Sequence, residues 1–188
     1  MRTGLTLTTL TIAGTLFITA LSLRASIMAT LDRMFGPNTY GSDIRYALDQ
    51  HMLMIYVFLI IVAGVLTAVG GLGLMTATSL NVLDRRRELG VLRAIGGTPI
   101  MVGTIVVIEA VFVTVLAWAL AVAVSWPLTF GIGRLLAVAL FRNGLEVWLA
   151  PAAVVIWLGF SAALALVSSL APAVSASCRS VREAISYE

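Results

Sequence analysis

Lysine is absent from this chain, and charge of any kind is scarce: 11% of 188 residues are charged, while 60% are hydrophobic. A soluble domain ordinarily carries about 25% charged residues, so a water-covered globule is excluded. The single cysteine, Cys178, rules out an internal disulfide and a multi-cysteine metal site. The single histidine, His51, has only Asp49 near it in sequence and reads as an interfacial polar residue rather than a metal ligand. Gly71 and Gly73 sit inside an apolar run and lack the Lys-Ser/Thr of a phosphate loop. No catalytic triad and no cofactor motif is present, so the chain is not expected to be an enzyme. The net charge of +3 comes from arginine alone, a balance that suits cytoplasmic loops better than nucleic-acid binding.

What is present is oil in long runs. Mean hydropathy is +1.05, and four stretches reach the ~20 apolar residues that a membrane span requires. The expected fold class is an all-α membrane protein with four transmembrane helices. The first span is placed at 5–23, because residues 3–23 carry no charge; the apolar core of a cleaved signal is shorter, about 7–15 residues. An outer helical hairpin follows at 24–50. In it Ile27, Leu31, Met34 and Phe35 form a helical stripe, Gly36-Pro37-Asn38 breaks the helix, and Ser42 is a candidate N-cap.

The second span is expected at 52–80. In it Gly70, Gly73 and Ala77 offer the small surfaces that let helices approach. A charged segment at 81–97 leads to Thr98-Pro99, which opens the third span at 100–126 with a hydroxyl cap and a first-turn proline. Pro127 is expected to end or kink that span. An outer connection at 127–148, with a short amphipathic helix near 135–141, leads to the fourth span at 149–170. Pro172 stops it, and a cytoplasmic tail at 171–188 closes the chain.

Arginine placement sets an orientation. With the N-terminus inside, seven arginines face the cytoplasm and five face out, so the positive-inside rule predicts both termini in the cytoplasm. Most of the bias comes from Asp84-Arg85-Arg86-Arg87-Glu88-Leu89-Gly90-Val91-Leu92-Arg93, where six of ten residues are ionised. Such a run must lie in water, where it can meet a soluble partner or anionic lipid headgroups. Its wheel shows no single clean face, which predicts a break near Gly90. Glu109 stands ten residues past Pro99, roughly 15 Å into a span. A carboxylate that deep is a functional candidate by default, bonded to Thr76, Thr78 or Ser79 or else protonated. The bland alternative is a hydrogen bond that only packs helices. Trp126 and Trp148 fall where an interfacial aromatic belt would lie.

Ser79 to Gly96, with its Asp84-Arg85-Arg86-Arg87-Glu88-Leu89-Gly90 core, resembles the charged loop of FtsX/MacB-like ABC transporter permeases. Ile108-Glu109-Ala110 is similar to that family's intramembrane glutamate. Pro172-Ala173, then Ser180-Val181-Arg182-Glu183-Ala184 and Tyr187-Glu188, resembles its C-terminal signature. The likeness is greatest to the second repeat of long two-repeat permeases. It implies a permease subunit in a bacterial inner membrane that works with a partner ABC ATPase and a second permease half, homo- or heterodimeric. ATP would be bound by the partner, and the membrane subunit would relay its motion.

The resemblance makes 81–97 a coupling helix, with Arg85, Arg86, Arg87, Glu88 and Arg93 pairing across the contact and Leu89, Val91, Leu92 and Ile95 at its apolar centre. One departure is large: family members carry an extracytoplasmic domain where about 27 residues, 24–50, stand here. That departure leaves two other expectations open, a non-transporting adaptor that links an ATPase to an outer partner, and a truncated fragment of a larger permease.

Overall fold

Five helices make up nearly all of the backbone in the computed structural model, which describes residues 2–35, 39–140 and 145–178. They are α1 (Arg2–Phe35), α2 (Thr39–Asp84), α3 (Arg86–Ala94), α4 (Pro99–Leu140) and α5 (Pro151–Cys178). All but α3 are long and apolar enough to cross a membrane, and no strand occurs among the described residues. The protein is an all-α membrane protein with four candidate spans.

Helix ends differ from the expected span limits in instructive ways. The 46 residues of α2 and 42 of α4 run about 69 and 63 Å at 1.5 Å per residue, twice a bilayer's hydrocarbon thickness. Both helices therefore project well past the spans predicted from apolar content. Helix α2 already starts at Thr39, so Ser42 lies within it and is not its cap. Pro127 neither ends nor interrupts α4, and Pro172 lies inside α5. Prolines are tolerated in membrane helices because neighbouring hydroxyls and helices satisfy the freed carbonyls. Pro127 and Pro172 would free the carbonyls four residues earlier, those of Ala123 and Ser168, whereas the nearby Ser125 and Ser169 hydroxyls donate to the Val122 and Leu166 carbonyls. The short helix foreseen near 135–141 is, as far as Leu140, the last part of α4. The Gly36-Pro37-Asn38 turn, Arg142 and the tail from Arg179 onward lie outside the described residues.

Helix α1 is the hub, packed along α2, α4 and α5. Its central contact is built from small residues: Ala13, Ile18, Ala121, Ala150, Ala153 and Trp157 form one buried cluster. Gly14 makes it possible, since a Cβ there would lie 2.8 Å from Ala121 Cβ and run into the Trp157 indole. A second cluster, Ile27, Leu31, Ala137 and Leu145, closes the end remote from α3. There the extended segment 145–150 lies along α1. The Trp148 and Ala150 amides donate to Ser26 Oγ (3.2 Å) and Ser22 Oγ (3.1 Å), and Ser26 Oγ donates in turn to the Trp148 carbonyl (3.3 Å). Arg33 pairs with Glu146 at the exposed rim.

Candidate functional site

At the α3 end, the chain leaves α2 at Asp84, turns through the single non-helical residue Arg85, and re-enters helix at Arg86. The turn stays bonded: the Arg85 amide donates to the Asn81 carbonyl and the Leu89 amide to that of Arg85, both at 3.1 Å. The expected break near Gly90 is therefore at Arg85, and Gly90 is buried within α3. The physical reason lies in the side chains after the bend. Turning at Arg85 brings Leu89 and Leu92 back onto Val102, Val106 and Ala173 of α4 and α5.

Helix α3 ends in a Schellman cap. The Gly96 amide donates to the Arg93 carbonyl (3.2 Å) and the Gly97 amide to that of Leu92 (2.9 Å), with Gly96 at φ 104°. That left-handed conformation strains any residue with a Cβ. Thr98 Oγ1 then accepts the Met101 amide at 3.3 Å, and α4 starts at Pro99, as the sequence predicts. Helix α3 is thus held rigidly between one bend and one cap.

The residues singled out in 81–97 divide by face. Arg85, Arg86, Arg87 and Glu88 are exposed, and so are Val91 (58%) and Ile95 (77%). Arg93 is half-buried. Leu89 and Leu92 are half-buried and pack on the protein's own core, which leaves Val91 and Ile95 as the exposed apolar side chains of this segment. The outward face is therefore three arginines and a glutamate around two aliphatic side chains, a composition suited to an interface of polar rim and apolar centre.

Glu109 is bonded, but to none of the expected hydroxyls. Asn81 Nδ2 donates to Glu109 Oε1, tying the last turn of α2 to α4. Thr76, Thr78 and Ser79 instead donate to carbonyls of their own helix, those of Leu72, Leu74 and Met75. The pair borders a cleft of about 560 Å³ that Thr3, Asp84 and Arg85 also line. Among the small residues of α2, Gly70 and Gly73 do allow close approach. A Cβ on Gly70 would fall 2.7 Å from Leu10 Cδ2, and one on Gly73 3.1 Å from Thr6 Oγ1. Ala77 borders the cleft. His51 lies exposed on α2, and no group of three or more metal-binding side chains occurs among the described residues.

Comparison with known proteins decides the lineage. A profile for the FtsX-like permease C-terminal region matches residues 52–180, which takes in α2 from Met52 onward, α3, α4 and α5. The chain belongs to the FtsX-like permease family. It is also 27% identical over 147 residues to the macrolide export ATP-binding/permease protein MacB of Bdellovibrio bacteriovorus. That match covers 78% of this chain and 22% of the relative, so this permease spans about a fifth of the relative's length. By membership it is a multi-pass ABC transporter permease component. The features that sequence reasoning missed are Asn81, Gly14 and the Ser22/Ser26 pair. Only the i, i+4 spacing of the two serines on one helix face gave any signal for them.

Proposed function

We propose that this permease subunit relays ATP-driven motion of a partner ABC ATPase across a bacterial inner membrane, with both termini in the cytoplasm. It works beside a second permease half, and ATP is bound by the partner subunit. The observation that carries this reading is the mounting of α3. Its charged outer face is exposed, while its inner face is fixed to α4 and α5 through Leu89 and Leu92. A force on Arg85, Arg86, Arg87, Glu88, Val91 or Ile95 therefore reaches α2 through the bend at Arg85 and α4 through Gly96-Gly97. The Asn81–Glu109 hydrogen bond links those two levers between the last turn of α2 and a point about three turns along α4, so they shift together. Catalysis of ATP hydrolysis belongs to the partner, and the membrane subunit supplies the lever.

The test is co-purification with an ABC ATPase encoded beside this chain, comparing wild type with Val91→Asp/Ile95→Asp. Both positions are exposed, so the variant should insert and fold while capture of the ATPase falls at least tenfold. Capture equal to wild type would remove α3 as the docking element.

A non-transporting adaptor is the second reading. It is favoured by the short passage from α1 to α2, which leaves only residues 36–38 between the two helices. Cargo-stimulated ATP turnover in proteoliposomes supports the permease. ATP turnover that responds only to an outer-side protein partner supports the adaptor.

A further inference from the structure

Towards the end remote from α3, an apolar groove of about 290 Å³ opens between α1, α2 and α4. Leu16, Ala20, Ile27, Ile55, Leu59 and Ile132 are among its walls, and Arg24 is the one charged residue lining it among the described residues. The volume is roughly twice the 150 Å³ cavity that holds one benzene ring, room for about a dozen carbon atoms. Along α1 the groove runs from Leu16 past Arg24 to Met28, about 18 Å at 1.5 Å per residue. That shape suits a single extended hydrocarbon chain. Arg24 also ends the uncharged stretch 3–23, so it marks the level at which hydrocarbon gives way to headgroups.

The groups beside Arg24 are arranged unusually. The Arg24 guanidinium stacks 5.0 Å from the centroid of the Tyr56 ring. Stacking occupies its face and leaves the in-plane N–H donors available. Asp49 Oδ1 lies 3.6 Å from Arg24 Nη2, beyond hydrogen-bond length, and this buried oxygen has no hydrogen-bond partner. Both side chains are partly open, 37% and 41% exposed. A cation and an anion thus stand side by side along an apolar slot, attracted to each other without being bonded.

We propose that this groove seats one acyl chain of a phospholipid with a zwitterionic primary-amine headgroup, its phosphate on Arg24 and its ammonium on Asp49. A guanidinium binds phosphate through paired N–H donors, and an ammonium supplies three donors to a carboxylate. The carboxylate discriminates among lipids. It repels a purely anionic headgroup, and a trimethylammonium headgroup has no N–H to give it. The site needs only this chain and the bilayer, and it stands apart from the ATPase reading.

The test places the full chain in nanodiscs holding equal amounts of phosphatidylethanolamine, phosphatidylglycerol and phosphatidylcholine. Native mass spectrometry then counts the lipids retained on gentle release. Wild type is expected to keep one phosphatidylethanolamine per chain, at least fivefold over either competitor. Arg24→Gln loses that retained lipid, and Asp49→Asn moves the preference to phosphatidylglycerol. Asn is nearly isosteric with Asp, so this second variant decides the matter even where Arg24→Gln disturbs folding. Equal retention of the three lipids, a wild-type preference for phosphatidylglycerol, or an unchanged preference in Asp49→Asn overturns the proposal. So does release of a lipid-free dimer, since a second copy of the chain would then fill the groove.

Discussion

Helices α1 and α2 lie side by side and invert the rule that holds in water. The most apolar 18-residue window of α1 has mean hydropathy 1.6 and is 44% buried, whereas that of α2 has mean hydropathy 2.8 and is only 11% buried. The oilier helix is the exposed one. Lipid tails are as apolar as leucine, so burying Phe58 or Ile61 of α2 brings no transfer gain. Close packing and hydrogen bonding decide instead which helix goes inside. Helix α1 supplies both, with Gly14 and Ala13 for contact and buried Thr19, Ser22 and Ser26 for hydrogen bonds to other parts of the chain. Helix α2 presents Met54, Phe58, Ile61, Val65 and Leu72 to lipid.

The contrast is broken most forcefully at its glycines. Gly14→Leu drives a side chain into Trp157 and Ala121, and overpacking of this kind costs about 3 kcal/mol. Gly64→Leu on α2 meets open space and should stay within about 0.5 kcal/mol of wild type. Unfolding by SDS titration from bicelles measures both. A Gly64→Leu as damaging as Gly14→Leu would mean that this face of α2 is covered by another chain.

Hydroxyls sharpen the same comparison at smaller scale. Ser26→Val leaves the Trp148 amide without its acceptor and its carbonyl without that donor, a loss of about 1–3 kcal/mol. Ser22→Val strands the Ala150 amide and should cost a similar amount. Thr76→Val on α2 removes only a bond to the helix's own Leu72 carbonyl and should change stability by less than about 0.5 kcal/mol. Helix α5 begins beside Ala150, so the serine variants should also raise protease cutting within 145–150. Cutting unchanged from wild type would show that Ser22 and Ser26 do not anchor this segment.

How much of this was legible in the sequence depended on how local the cause was. The four spans follow from apolar length, and Thr98-Pro99 opened α4 as expected because a cap involves neighbours only. The charged loop, Glu109 and the C-terminal motif carried the family likeness. Pro127 does not end α4, since what carries a helix through a proline is the environment, a tertiary property. The face taken by Leu89 and Leu92 depended on Ala173, more than 80 residues away. The serine contacts bridge 122 and 128 residues, and nothing near Ser22 or Ser26 announces Trp148 or Ala150. Hydropathy alone would have ranked α2 the most central helix, when it is the least.

One contact gives α2 a polar tie of its own, and it sets the smallest expected effect. Asn81 bonds Glu109 across to α4, where other hydroxyls of α2 turn back on their own backbone. Hydrogen bonds between membrane helices average about 0.6 kcal/mol and reach about 1.7, so Asn81→Leu should lower stability by about 1 kcal/mol. Glu109→Gln keeps a carbonyl oxygen for Asn81 to donate to and should lose less. Asn81→Leu/Glu109→Leu removes both partners of this part-buried pair, and a polar pair exchanged for apolar groups of like shape is close to neutral. The double variant should therefore be more stable than the sum of the single losses from Asn81→Leu and Glu109→Leu predicts. Strict additivity in that cycle would mean that the two side chains do not interact. A push on α3 would then reach α4 through Gly96-Gly97 and the packing of Leu89 and Leu92 on Val102 and Val106, without help from a polar tie to α2.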